Sequence, residues 1–213
     1  MQHVPTLLTL QVHDKSQPCN KHFQQNCEGN ARLQNGSFLI AGVPAGGYRV
    51  EPKTLPVGLS EARAVKGKVV LTCESIGSGV ALCLYDPDSQ VGGLAHVLLD
   101  KPSGQVDPGT ESRYAATVVE KLLADMENLG AQREKVTANI VGGAEVHTQD
   151  PDLFMGSRVL QTMRDSLKQA DIPLLTDTSG GHLTRSVWLH PEHGRIELRT
   201  FVDHGVLDWE VAA

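Results

Sequence analysis

The sequence predicts an α+β protein, a layered α/β/β sandwich of mixed and antiparallel sheets with two main helices. Three observations carry this. Apolar runs of strand length come first, in KGKVVLT, VALCLYD and GLAHVLL, with no helix among them. Two amphipathic segments of helical period follow, separated by the single strand-like run VTANIVGGA. Three further runs, IPLLTD, RSVWLH and GRIELRTF, close the chain. Strands, helix, strand, helix, strands is not the strict alternation that a doubly wound parallel sheet requires.

Each element has a local cause. Gly, Pro and Asp break the early apolar runs, and DPDSQVGG between VALCLYD and GLAHVLL is a turn segment, so that pair reads as an antiparallel hairpin. Tyr114, Val118, Leu122, Met126 and Leu129 recur at helical spacing, and Gly130 stands where a C-terminal glycine stops a helix. This places the first helix over about 112–129. Leu160, Met163 and Leu167 give the second, over about 157–170, stopped before Pro173. Residues 1–56 have a different texture. They are rich in Gln and Asn in CNKHFQQNCEGNARLQNGS and punctuated in AGVPAGGYRVEPKTLP, so they read as an extension, partly ordered at most, ahead of a domain over 57–213.

Composition excludes several classes. The chain has 213 residues and a formal charge of −6, which gives no broad attraction for nucleic acid or anionic lipid. No apolar run approaches the roughly 20 residues that span a bilayer, and the N-terminus lacks a basic segment followed by a cleavage site, so a cytoplasmic protein without membrane insertion is expected. The four cysteines, Cys19, Cys27, Cys73 and Cys83, form no CxxC pair, so reduced thiols and no zinc knuckle are expected. His190 and His193 in HPEH have ligand-like spacing but no third ligand nearby. They read as turn residues, and neither a metal nor a cofactor is expected. The glycine pairs in GGAEV and SGGHLTR read as turns before anion-binding loops, and Arg185 and Arg199 as exposed strand charges.

The hairpin holds the chemistry. His96 ends an apolar run, and the antiparallel pairing brings it beside residues 77–79. Strand alternation sets Gly79, Ala81 and Cys83 on one face, with Cys83 roughly 13 Å from position 79, which makes Cys83 a small core residue.

The run VGLSEARAVKGKVVLTCESIGSGVALCLYDPDSQVGGLAHVLLD resembles the signature of the chemoreceptor glutamine deamidases, the CheD family of bacterial chemotaxis. RYAATVVEKLLADMENLGA, ANIVGGAEV, MGSRVLQTMRDSL and IPLLTDTSGGHLTRSVWLHPEHGRIELR continue it in the family's order. The resemblance implies a sandwich with a Cys–His–Thr site that converts receptor glutamines to glutamate. Its partners would be the cytoplasmic helices of methyl-accepting receptors and a CheC-type phosphatase. His96 falls on the family's histidine, which would act as general base and acid. The nucleophile position, seventeen residues earlier, holds Gly79, and the threonine position holds Cys73. Gly77 and Ser78 supply backbone near the site.

A glycine has no atom with which to attack a carboxamide, and removing a nucleophile leaves only residual acceleration. Ser78 points to the opposite strand face, whereas Cys73 is a possible surrogate thiol. Two readings follow: a receptor deamidase that is weak or runs through Cys73, and a non-catalytic binding or adaptor protein that engages receptors or a CheC-type phosphatase.

Overall fold

The computed structural model describes residues 52–145, 155–202 and 205–212. The proposed extension thus lies outside the described residues, except for its last few. The described residues form ten strands: β1 Thr54–Pro56, β2 Ala62–Lys66, β3 Val70–Ile76, β4 Val80–Asp86, β5 Val91–Val97, β6 Thr137–Gly142, β7 Leu174–Ser179, β8 Arg185–His190, β9 Arg195–Val202 and β10 Gly205–Ala212. Helix α1 spans Ala115–Glu127 and α2 spans Met155–Gln169. One sheet has the order β1-β3-β8-β9-β10 and the other β2-β5-β4-β6-β7. Most neighbours are antiparallel. β1 with β3 and β6 with β7 are parallel, the latter joined through α2, so both sheets are mixed.

Both helices lie against the β2-β5-β4-β6-β7 sheet, where Val118, Leu122, Met126, Val159, Met163 and Leu167 meet Val80, Leu82, Leu84 and Ala95. The opposite face of that sheet packs on the other sheet through Leu71, Cys73, Ile76, Ala81, Cys83, Leu94, Val187, Leu189, Ile196 and Leu198. This is the expected α/β/β layering. It also explains why VALCLYD reads as an unbroken apolar run: β4 is central, and all seven of its residues are buried.

Two of the strands before α1 were not expected. β1 is only three residues long, and β2, ARAVK, alternates charge at a sheet edge, so neither leaves a strong apolar signal. β1 also draws Thr54–Pro56, three residues read as extension, into parallel pairing with Val70–Thr72.

The helix stops follow from local bonding. Gly130, at φ 94°, donates to Glu127 O, and Ala131 N donates to Met126 O; this Schellman pattern leaves Leu129 outside the helix and 38% exposed. Asp171, at φ 58°, plays the glycine's part after α2, where Ile172 N donates to Leu167 O.

The glycines of GGLAH each admit one layer. A Cβ at Gly93 would lie 2.8 Å from Leu122 Cγ and Met126 Sδ, and one at Gly92 would lie 2.6 Å from Pro191 Cγ. Residues without side chains therefore let β5 sit between α1 and the second sheet. The hairpin turn is fixed by Asp86, fully buried, whose carboxylate accepts from Asp88 N, Ser89 N, Ser89 Oγ and Gln132 N. Burial alone would raise its pKa, but these four bonds outweigh burial and hold it below the ordinary carboxylate value.

Candidate functional site

His96 lies on β5 with Ala81 of β4 as its cross-strand partner. Because Gly92 and Leu94 face the second sheet, His96 shares their face, at the end of the inter-sheet layer. Its backbone is held to the segment before β2, its N–H donating to Glu61 O and its carbonyl accepting from Ser60 N.

The ring points at the chain segment Gly77–Gly79. A Cβ built on Gly79 would lie 2.6 Å from His96 Nε2, 3.1 Å from Cδ2 and 3.2 Å from Val97 O. The imidazole thus faces the one position that the family resemblance assigns to the nucleophile, and occupies part of the space a side chain there would need. Gly79 is not among the positive-φ glycines, so nothing in its backbone demands glycine. What a cysteine would meet is the far end of a movable ring.

His96 is half-buried, and burial lowers its pKa below the ordinary histidine value. Burial therefore favours the neutral imidazole at neutral pH. The consequence for stability has a definite sign. The folded state binds a proton less readily than the unfolded chain, so stability falls as pH drops below about 6.5, the unfolded histidine pKa. His96→Gln is expected to unfold at a temperature that depends less on pH between about 6.5 and 5 than that of the unmodified chain, as measured by calorimetric scans of both across this window. Parallel curves for the two proteins would contradict this.

Cys73 is buried on β3 in the inter-sheet core, with Val187 of β8 as its partner. Burial, with the Glu74 carboxylate adding to it, pushes its thiol up to about 12, the opposite of what an attacking thiolate needs. Cys83 is fully buried in the same layer with its pKa raised, as a small core residue should be.

Beyond Cys73 the strand bulges. Cys73 pairs with Val187 but Ile76 with Arg185, three steps on β3 against two on β8, and Ser75 takes φ 56° while its N–H donates to the buried Ser186 Oγ. The extra residue returns Ile76 to the core face that Cys73 occupies and aims Gly77–Gly79 across to β4.

The glycine pairs of GGAEV and SGGHLTR converge on this segment. Gly143 N donates to Gly79 O, Ala144 N to Gly77 O, Gly180 N to Gly142 O and Glu145 N to Gly181 O. These amides hold loops to one another. In HPEH, His190 lies against Glu197 and His193 against Glu192, and among the described residues no group of three or more His, Cys, Asp or Glu could hold a metal ion.

One residue at this end of the molecule was misread. Arg185 was expected to be an exposed strand charge, yet it is partly buried, and burial lowers its pKa. Val187 and Leu189 on the same strand face lie in the inter-sheet core, so strand alternation turns Arg185 toward that layer. RSVWLH carries this signal in its period, since positions 185, 187 and 189 share a face.

At the end of the inter-sheet layer of a mixed two-sheet sandwich, His96 thus faces Gly79. Residues 98–200 match the family model described as CheD chemotactic sensory transduction. The probable chemoreceptor glutamine deamidase CheD of Caldanaerobacter subterraneus is 31% identical over 160 residues, 74% of this chain and 98% of the relative. The chemoreceptor glutamine deamidase CheD of Thermotoga maritima is 34% identical over 144 residues, 67% of this chain and 89% of the relative. A probable CheD of Methanosarcina mazei is 33% identical over 175 residues, 81% of this chain and 77% of the relative. The chain belongs to the CheD family of chemotaxis proteins. The stretch matching the family model begins after Gly79 and His96.

Proposed function

We propose that this protein engages chemoreceptor glutamine segments through the CheD surface without efficiently deamidating them. One observation carries the reading: the atom that would attack the carboxamide belongs at position 79, directly before His96 Nε2, and Gly79 has no such atom. Thiol-dependent deamidation needs a thiolate to form a thioester, an imidazole to protonate the departing ammonia, and donors for the oxyanion. Here the imidazole faces position 79, burial favours its neutral form, and no thiol stands before it. The buried, protonated Cys73 does not supply one.

The names of the relatives support chemoreceptors as the partners, and with such partners the protein would work in the cytoplasm, beside the receptors' cytoplasmic helices. No described helix is long and apolar enough to cross a membrane. A CheC-type phosphatase is a second partner implied by the family.

The test is to mix the protein with a receptor cytoplasmic fragment carrying glutamine at its modification positions, measuring binding by calorimetry and conversion to glutamate by mass spectrometry. Binding without conversion above that of the fragment alone is expected. Absence of binding, or conversion at an enzymic rate, would sink the proposal.

A further inference from the structure

Arg185 and Thr200 stand opposite one another, Cα to Cα, on β8 and β9. Both face the inter-sheet layer, since Val187 and Leu189 on one strand and Ile196 and Leu198 on the other lie in that core. Ile76, the next partner of Arg185 across the sheet, leads directly into Gly77–Gly79. Arg185 is therefore at the same end of the sandwich as His96 and Gly79.

The bonding of Arg185 is lopsided. Nη1 donates to Gly180 O at 2.9 Å and Leu183 O at 3.3 Å, which fixes the plane of the guanidinium. Nε is enclosed and has no acceptor, and Thr200 Oγ1, in a residue only 2% exposed, is enclosed and without a partner as well. Among the described residues no carboxylate pairs with Arg185. Leaving a buried N–H and a buried hydroxyl unbonded is costly, and a guanidinium without a counter-ion more so. An acceptor that entered this end of the layer, with the enclosing groups moved slightly aside, would satisfy both.

We propose that Arg185 and Thr200 form a carboxylate-holding subsite beside His96, whose occupant is a glutamate side chain of the chemoreceptor. This rests on the receptor-binding reading above and specifies what is bound. The free edge of the guanidinium, Nε with Nη2, presents two parallel N–H donors, the fork that matches two carboxylate oxygens. The Thr200 hydroxyl is a third donor. A glutamine carboxamide offers one oxygen, and its NH₂ would face donors, so the edge discriminates against it. Gly79 adds to the preference, because a thiolate at that position would repel a carboxylate. The protein then recognises the deamidated or demethylated state of a receptor site instead of producing it.

The probe is a purified receptor cytoplasmic fragment in two forms, with glutamate or with glutamine at its modification positions, titrated calorimetrically into the full-length protein. The glutamate form is expected to bind about tenfold tighter or more, the scale of one charge-assisted hydrogen-bonded pair. Arg185→Gln is expected to remove the preference while still binding the glutamine form, and Thr200→Val to reduce it. Arg185→Lys keeps a cation for the loop carbonyls and is expected to retain part of it. Equal binding of both forms by the unmodified protein overturns the subsite and leaves the receptor reading standing. Binding of neither form overturns both. A preference undiminished in Arg185→Gln also overturns the assignment, and the comparison within the unmodified protein needs no variant to fold.

Discussion

Gly79→Cys combined with Cys73→Thr is expected to raise glutamine deamidation of a receptor fragment by about a thousandfold or more over the unmodified chain, against a loss on the order of 10⁶ when a serine protease loses its nucleophile. The imidazole, the glycine loops and the backbone are already placed, so the substitutions add only the attacking atom and the family's hydroxyl. The Gly79 backbone lies outside the left-handed region and accepts a side chain. The one obstacle is steric. A Cβ would come within 2.6 Å of His96 Nε2, so the ring must swing aside, while Val97 O at 3.2 Å needs only slight adjustment. Gly79→Ala, which demands the same ring movement and adds no nucleophile, is the control: it should fold equally well and show no gain in ammonia release. A folded, receptor-binding double variant that releases no ammonia would show that His96 is not placed for catalysis.

The second large effect concerns the glycines that hold this segment. Gly142→Ala is expected to cost about 3 kcal/mol or more, combining the strain of an L-residue at a glycine-like backbone with overpacking. The native φ is 99°, and a Cβ would fall 2.3 Å from Ile76 Cγ2 and 2.6 Å from Gly79 O. A carbonyl cannot rotate away as a side-chain tip can, and Gly79 O is already bonded to Gly143 N. For a domain of this size the melting temperature should fall by roughly 6–12 °C. Gly104→Ala, where a Cβ meets nothing within 4 Å, is expected to be nearly neutral. Thermal unfolding of the two variants side by side is the measurement, and equal melting temperatures would refute the packing role of Gly142.

Much of this molecule is legible in its sequence because the elements that bear the core have strong periods. Val118, Leu122 and Met126 mark α1, Leu160, Met163 and Leu167 mark α2, and VALCLYD and GLAHVLL mark the hairpin that brings His96 to position 79. What escaped has physical reasons. Three-residue β1 and charged β2 are edge strands whose pairing is decided by neighbours, not by their own apolar content. The bulge at Ser75 depends on a left-handed φ in a residue type that gives no warning of it. Cys73, which the resemblance sets at the family's threonine position, lies in a core where burial disarms its thiol, a property of the neighbours and not of the residue. Arg185 was read from charge alone, although its strand parity already pointed inward.

The most direct measurement of the relation between position 79 and His96 is the titration of the His96 ring by NMR in the unmodified chain and in Gly79→Cys. In the unmodified chain the ring should titrate below the ordinary histidine range, because burial disfavours its charged form. In the variant a thiolate facing Nε2 should favour the imidazolium and move the midpoint upward, while the new thiol becomes reactive near neutral pH. An unchanged His96 midpoint in the folded variant would mean that the ring does not face position 79, and that Gly79 is not the missing nucleophile.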